Sequence, residues 1–132
     1  MVAQSCQLLL NTCKESIDQA EIFLKQYFPE YIYRWYFCES WLLYEKNCEF
    51  MKPESNILKF ASLFSYCYSK EDDSQAIQCI FGTEKGKMEK YPEKTSLQRQ
   101  AERYLESGGM QGTGIGVIDR RKAYTMFLEG LV

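Results

Sequence analysis

The sequence predicts one α/β (α+β) domain, a small mixed sheet packed by helices, and three observations lead there. The chain has 132 residues, of which 45% are hydrophobic and 15% aromatic. That is long enough to bury one core and too short for two ordinary domains, so 1–132 is expected to be a single domain. Apolar residues at helical spacing open the chain and return near its end, and short aromatic or β-branched runs bounded by turn residues lie between and after them. Such an order is the pattern of a layered helix-and-sheet domain.

The first helix is expected from about Gln4 to Tyr27, because Cys13, Ile17, Ala20, Leu24 and Tyr27 advance by steps of four and three along one face. Pro29 stops it. From Tyr31 to Glu39 the aromatic residues Tyr31, Tyr33, Trp35 and Phe37 alternate with others, which predicts a strand. A polar turn follows around Glu45 to Asn47. Pro53-Glu54-Ser55-Asn56 then leads into Ile57, Leu58, Phe60 and Ala61 as a short capped helix.

Leu63 to Tyr68 and Ala76 to Phe81 are β-compatible runs separated by polar residues, and together they predict a hairpin. The charged stretch Gly82 to Lys94 is expected to be an exposed loop that adds nothing to the core. Thr95-Ser96-Leu97-Gln98 has capping-box spacing. The helix it opens buries Leu97, Ala101, Tyr104 and Leu105 and ends at Gly108-Gly109. A last strand is expected over Thr113 to Ile118, and Ala123, Met126 and Phe127 suggest a helix in the tail 119–132.

Composition excludes several function classes. The 16 basic and 18 acidic residues nearly cancel and are spread along the chain, so no basic face is offered to nucleic acid or to an anionic membrane. No apolar run approaches the ~20 residues of a membrane span, and the N-terminus lacks a basic stretch followed by an apolar signal core. A cytoplasmic protein is the expectation. With no histidine and no CxxC pair, the usual zinc frameworks and the Ser-His-Asp triad are excluded, and no metal is expected. The six cysteines are expected to be buried, reduced thiols.

A series of short motifs occurs in a recognisable order: Phe28-Pro29-Glu30, Phe37-Cys38-Glu39-Ser40-Trp41-Leu42-Leu43, Pro53-Glu54-Ser55-Asn56-Ile57-Leu58, Thr95-Ser96-Leu97-Gln98-Arg99 and Gly114-Ile115-Gly116-Val117-Ile118. Together they resemble the GNAT-like C-terminal domain of bacterial acyltransferase-domain proteins, over roughly Asp18 to Ile118. The resemblance implies a GNAT-like half-fold that follows, or pairs with, a separate N-terminal acyltransferase domain. It further implies acyl-CoA or acetyl-CoA as co-substrate, a small-molecule amine or hydroxyl as acceptor, and acyl transfer as the reaction.

Site residues follow from the same resemblance. Gln111, Gly112, Gly114 and Gly116 match the spacing of the GNAT loop whose backbone amides hold the pyrophosphate of the cofactor. Here that segment follows a helix and runs into β-branched residues, so a glycine-rich turn is the competing account. Transfer also needs a base for the acceptor proton. Glu39 is the catalytic candidate, since a carboxylate between Cys38 and Trp41 at the end of an aromatic strand can be desolvated. An exposed glutamate at a strand-to-turn junction is the alternative. The family often carries histidine at this position, so a histidine role does not transfer unchanged. Trp41 and Ser40 are the substrate-binding candidates, although a large aromatic at such a position is more often core. A different class of function stands beside the enzyme: a non-catalytic module that completes a separate transferase domain.

Overall fold

The computed structural model describes residues 2–121, with side chains from residue 11 onward. Helix α1 runs Val2–Tyr27, strand β1 Trp35–Ser40, helix α2 Asn56–Ser62, strand β2 Ser65–Lys70, helix α3 Ser74–Phe81, helix α4 Ser96–Glu106 and strand β3 Thr113–Asp119. Two 3-10 turns, Trp41–Leu43 and Glu45–Glu49, follow β1 directly. The tail helix suggested at Ala123 to Phe127 lies outside the described residues. The chain divides into two compact units: the span up to Tyr36 together with the chain from Ile118 on, and Phe37–Val117.

In the three-stranded sheet β3 is central, in the order β1-β3-β2. β2 and β3 are antiparallel, with Ser65 opposite Val117 and Lys70 opposite Thr113, and a register shift between Tyr66 and Tyr68. The core gathers Trp41, Met51, Ala76, Ile77, Ile80, Phe81 and Ala101. It therefore rests on α3, α4 and the first 3-10 turn.

Several expectations are corrected by the structure. The run Ala76 to Phe81 is not a strand but the body of α3, and the expected hairpin does not form. Its buried residues Ala76, Ile77, Ile80 and Phe81 recur at helical spacing, which a six-residue apolar run is too short to separate from a buried strand. Local chemistry decides the matter: the Asp72 carboxylate accepts from the Ser74 amide at 3.2 Å and from its hydroxyl at 2.6 Å, and Gly82 closes the helix in the left-handed region at φ 71°. β2 consequently pairs with β3. The strand expected from Tyr31 begins only at Trp35, because Pro29 and Glu30 form a turn in which the Tyr31 amide donates to the Phe28 carbonyl at 2.9 Å.

The charged loop 82–94 is largely exposed, but it does reach the core. Tyr91 stacks on Phe81 with ring centroids 4.4 Å apart and planes 14° apart. The cysteines are also not buried: among the described side chains Cys48, Cys67 and Cys79 are exposed, Cys13 and Cys38 are half-buried, and all are free thiols.

Other expectations hold in atomic detail. Ser55 caps α2 by accepting from the Ile57 amide. The capping box of α4 is complete, and the Gln98 side chain adds a third tie by donating Nε2 to the Ile80 carbonyl at 3.0 Å. That bond joins the end of α3 to the start of α4.

Candidate functional site

The second unit holds all the candidate site residues, Glu39, Ser40, Trp41, Gln111, Gly112, Gly114 and Gly116. Glu39 closes β1 with its side chain 41% exposed, in an ion pair of 2.5 Å with Lys70 on β2. The carboxylate beside it pushes the Lys70 ammonium above its usual range. The desolvated setting expected for Glu39 is therefore absent. The neighbouring Ser40 accepts from the Leu42 amide at 3.2 Å, capping the first 3-10 turn. Trp41 is core, at 9% exposure. Its amide donates to Gln75 Oε1 at 2.8 Å and its carbonyl accepts from Asn47 Nδ2 at 2.8 Å, so its backbone is pinned from both sides.

The glycine-rich segment is not an open loop. Gln111, Gly112, Gly114 and Gly116 are all buried, the last two within the central strand. A Cβ on Gly114 would collide with the backbone of Leu43, one on Gly112 with the Tyr44 ring and the Lys70 carbonyl, and one on Gly116 would lie 2.9 Å from Phe64 Cβ. These glycines let the 3-10 turn and β2 press onto β3. A strand with neighbours on both sides also commits its amides to the ladder. Gln111 differs from the glycines. It is 0% exposed, and neither end of its carboxamide has a hydrogen-bond partner among the described residues. The Tyr44 hydroxyl, close to Gly112, is likewise buried without one.

In the first unit the structure assembles a constellation that no motif announced. Arg120 grips Glu21 with two bonds, Nε to Oε1 at 2.8 Å and Nη2 to Oε2 at 2.7 Å, and its guanidinium lies 4.4 Å from the centre of the Tyr33 ring. Tyr36 donates its hydroxyl to the same Glu21 carboxylate. The Arg120 hydrogen bonds hold the Glu21 carboxyl down at about 2, while burial and then Glu21 push the Tyr36 hydroxyl well above its usual range. The Arg120 amide donates to the Arg34 carbonyl at 2.7 Å, and Arg34 Nη2 donates to Asp119 Oδ2 at 3.2 Å. Beside this network lies a cleft of about 490 Å³ between the last turns of α1 and the segment Phe28 to Tyr33. Residues 21 and 120 stand 99 positions apart, and Glu21 sits on α1 without any local signal. Of the members of this constellation the sequence singled out only Tyr33, in the alternating aromatic run.

The family model of the GNAT-like C-terminal domain matches residues 2–118. The chain belongs to the GNAT-like C-terminal domain family. Solved acyltransferases share its fold. A mutant acyltransferase in complex with octanoyl-CoA matches with a TM-score of 0.70 and 24% identity, over 80% of this chain and 35% of that one. An acyltransferase with decanoyl-CoA matches at 0.68 and 22% identity, over 80% and 34%. One with decanoyl-CoA and teicoplanin matches at 0.69 and 24% identity, over 80% and 34%. This GNAT-like domain thus spans about a third of the length of those chains. No curated protein matches it. Among the described residues no helix is long and apolar enough to cross a membrane, and no group of three or more His, Cys, Asp or Glu could hold a metal ion.

Proposed function

We propose that this chain is the C-terminal module of a GNAT-type acyltransferase that moves an acyl group from a CoA thioester to an amine or hydroxyl on a small-molecule acceptor. The observation that carries the proposal is the family match over residues 2–118, joined by a fold shared with acyltransferases solved with octanoyl-CoA and decanoyl-CoA. In such a transfer the acceptor's lone pair attacks the thioester carbon, its proton passes to a base, and the thiolate leaves and is reprotonated. Glu39 is the base in this reading, and its exposure at the end of β1 supports access by an acceptor. Ser40 and Trp41 stand next to it in the chain and shape the turn behind it. For the cofactor, the segment Gln111 to Gly116 is the assignment that the family pattern suggests. Gln111 is its testable member, since its carboxamide has no hydrogen-bond partner among the described residues.

A second reading is favoured by specific observations: the glycines are consumed by packing, and the chain spans about a third of its structural relatives. On that reading the domain is an assembly module that completes a separate transferase domain, an N-terminal one in the family's arrangement, and does no chemistry alone. A thiol-release assay with acetyl-CoA and decanoyl-CoA and an amine acceptor separates the two. Turnover by the isolated chain that disappears in Glu39→Gln supports the enzyme. Turnover that depends on an added partner domain supports the module.

A further inference from the structure

Helix α4 buries a carboxyl that no donor answers. Glu102, next to Ala101 in the core, is 6% exposed, and its Oε2 has no hydrogen-bond partner among the described residues. The group that meets it is a second acceptor: the Glu93 carboxyl, at the end of the loop 82–94, lies within hydrogen-bond reach of the Glu102 side chain. Two carboxylates have no hydrogen to share, so a contact of this kind is favourable only with one proton between them. The charges around the pair do not remove that need. Glu106, one turn further along α4, adds negative charge, and Lys90 of the loop stands 3.8 Å from Glu93 Oε2 with its side chain 74% exposed, where water screens it. Arg99 engages the backbone instead, donating Nη1 to the Glu93 and Lys94 carbonyls at 3.1 Å each. Burial first, and then the charges of Glu93 and Glu106, push the Glu102 carboxyl above its usual range.

The stretch of loop that carries Glu93 is also the one that reaches the core. Tyr91 stacks on Phe81 two residues before it, and the Lys94 amide one residue after it donates to Gln98 Oε1 at 2.8 Å. Glu102 gains water only when its cover lifts, and this stretch is the part of the cover that its carboxyl touches. From this arrangement we infer that Glu93 and Glu102 form a proton latch: with one proton shared between them the segment Tyr91 to Lys94 is docked against α3 and α4, and with both carboxyls ionised it is released. Release hands the proton to solvent and takes the pair from one negative charge to two. The latch is independent of the proposed transfer reaction, because it uses neither Glu39 nor the glycine segment. A carboxyl raised in the docked state favours docking fully below its ordinary value of 4.5, and that contribution is lost as pH rises through the raised value.

NMR of the full chain between about pH 4 and about pH 8 tests the latch. The Glu102 carboxyl carbon should titrate above its ordinary value. Over the same interval the Tyr91 ring resonances should move from the positions set by stacking on Phe81 towards those of an exposed tyrosine, the undocked population rising at least about fivefold. Glu102→Gln supplies a permanent hydrogen in the same volume, so the segment should stay docked and the Tyr91 shifts should no longer follow pH. Glu93→Gln, at an exposed position that leaves the core untouched, should lower the Glu102 midpoint and weaken the dependence. A Glu102 titration at or below its ordinary value would overturn the latch. So would Tyr91 remaining stacked while Glu102 ionises, or a pH dependence undiminished in both variants.

Discussion

Gly114 of β3 lies against the Leu43 carbonyl so closely that a methyl group on its Cα would overlap that oxygen. The contact brings the turn after β1 down onto the central strand and so fixes where Glu39, Ser40 and Trp41 sit.

Gly114→Ala should therefore destabilise the fold by about 3 kcal/mol or more, since the obstacle is backbone and cannot rotate away. Gly116→Ala meets the Phe64 side chain instead and should cost less. Urea unfolding of both variants measures the difference. Equal, negligible losses would remove the packing role of the glycines and reopen them as a phosphate cradle.

A buried carboxamide without partners costs the fold its desolvation. Gln111→Met, close in volume, should be neutral or stabilising by up to about 1 kcal/mol in thermal unfolding. If the same variant loses CoA binding, Gln111 is held in the fold at a cost to stability for the sake of a ligand.

How much of this was legible in the sequence depends on the range of the interaction. Caps at Ser55 and Thr95 were readable because their partners lie two or three residues away. α3 was misread as a strand because a six-residue, mostly apolar run satisfies either period and the deciding groups, Asp72 and Gly82, lie outside the run. Cys67 was misjudged for a related reason: β2 is an edge strand, and composition does not reveal which strand is at the edge. Placement of the glycines required knowing what packs on β3. The Glu21, Tyr33, Tyr36 and Arg120 cluster depends on a pair 99 residues apart and leaves no pattern at all.

That cluster makes a pH prediction. The Glu21 carboxyl is lowered from 4.5 to about 2, first by its hydrogen bonds with Arg120. A depressed carboxylate stabilises the fold fully above its ordinary range, and the stabilisation is lost as pH falls from about 4.5 towards about 2. Glu21→Gln should flatten this part of the acid unfolding curve, followed by circular dichroism. An unchanged curve would mean that the pair is not formed in solution.

Thr95→Ala should cost about 1 kcal/mol by removing the hydroxyl half of the capping box. Gln98→Ala should cost more, because it also frees the Ile80 carbonyl that ties α3 to α4. Denaturant titration orders the two, and the reverse order would show that this tie is weak.

Glu39→Gln should leave stability within about 0.5 kcal/mol of the parent, since the Lys70 ion pair is exposed. Urea titration checks this, and a larger loss would make Glu39 a structural residue and weaken its use as a base.

The central claim is that this domain handles an acyl-CoA, and calorimetric titration of the chain with decanoyl-CoA tests it most directly. The account predicts saturable binding in the micromolar to submillimolar range, as expected of a module built for that ligand. No heat of binding at millimolar ligand, with the chain shown to be folded, would contradict it.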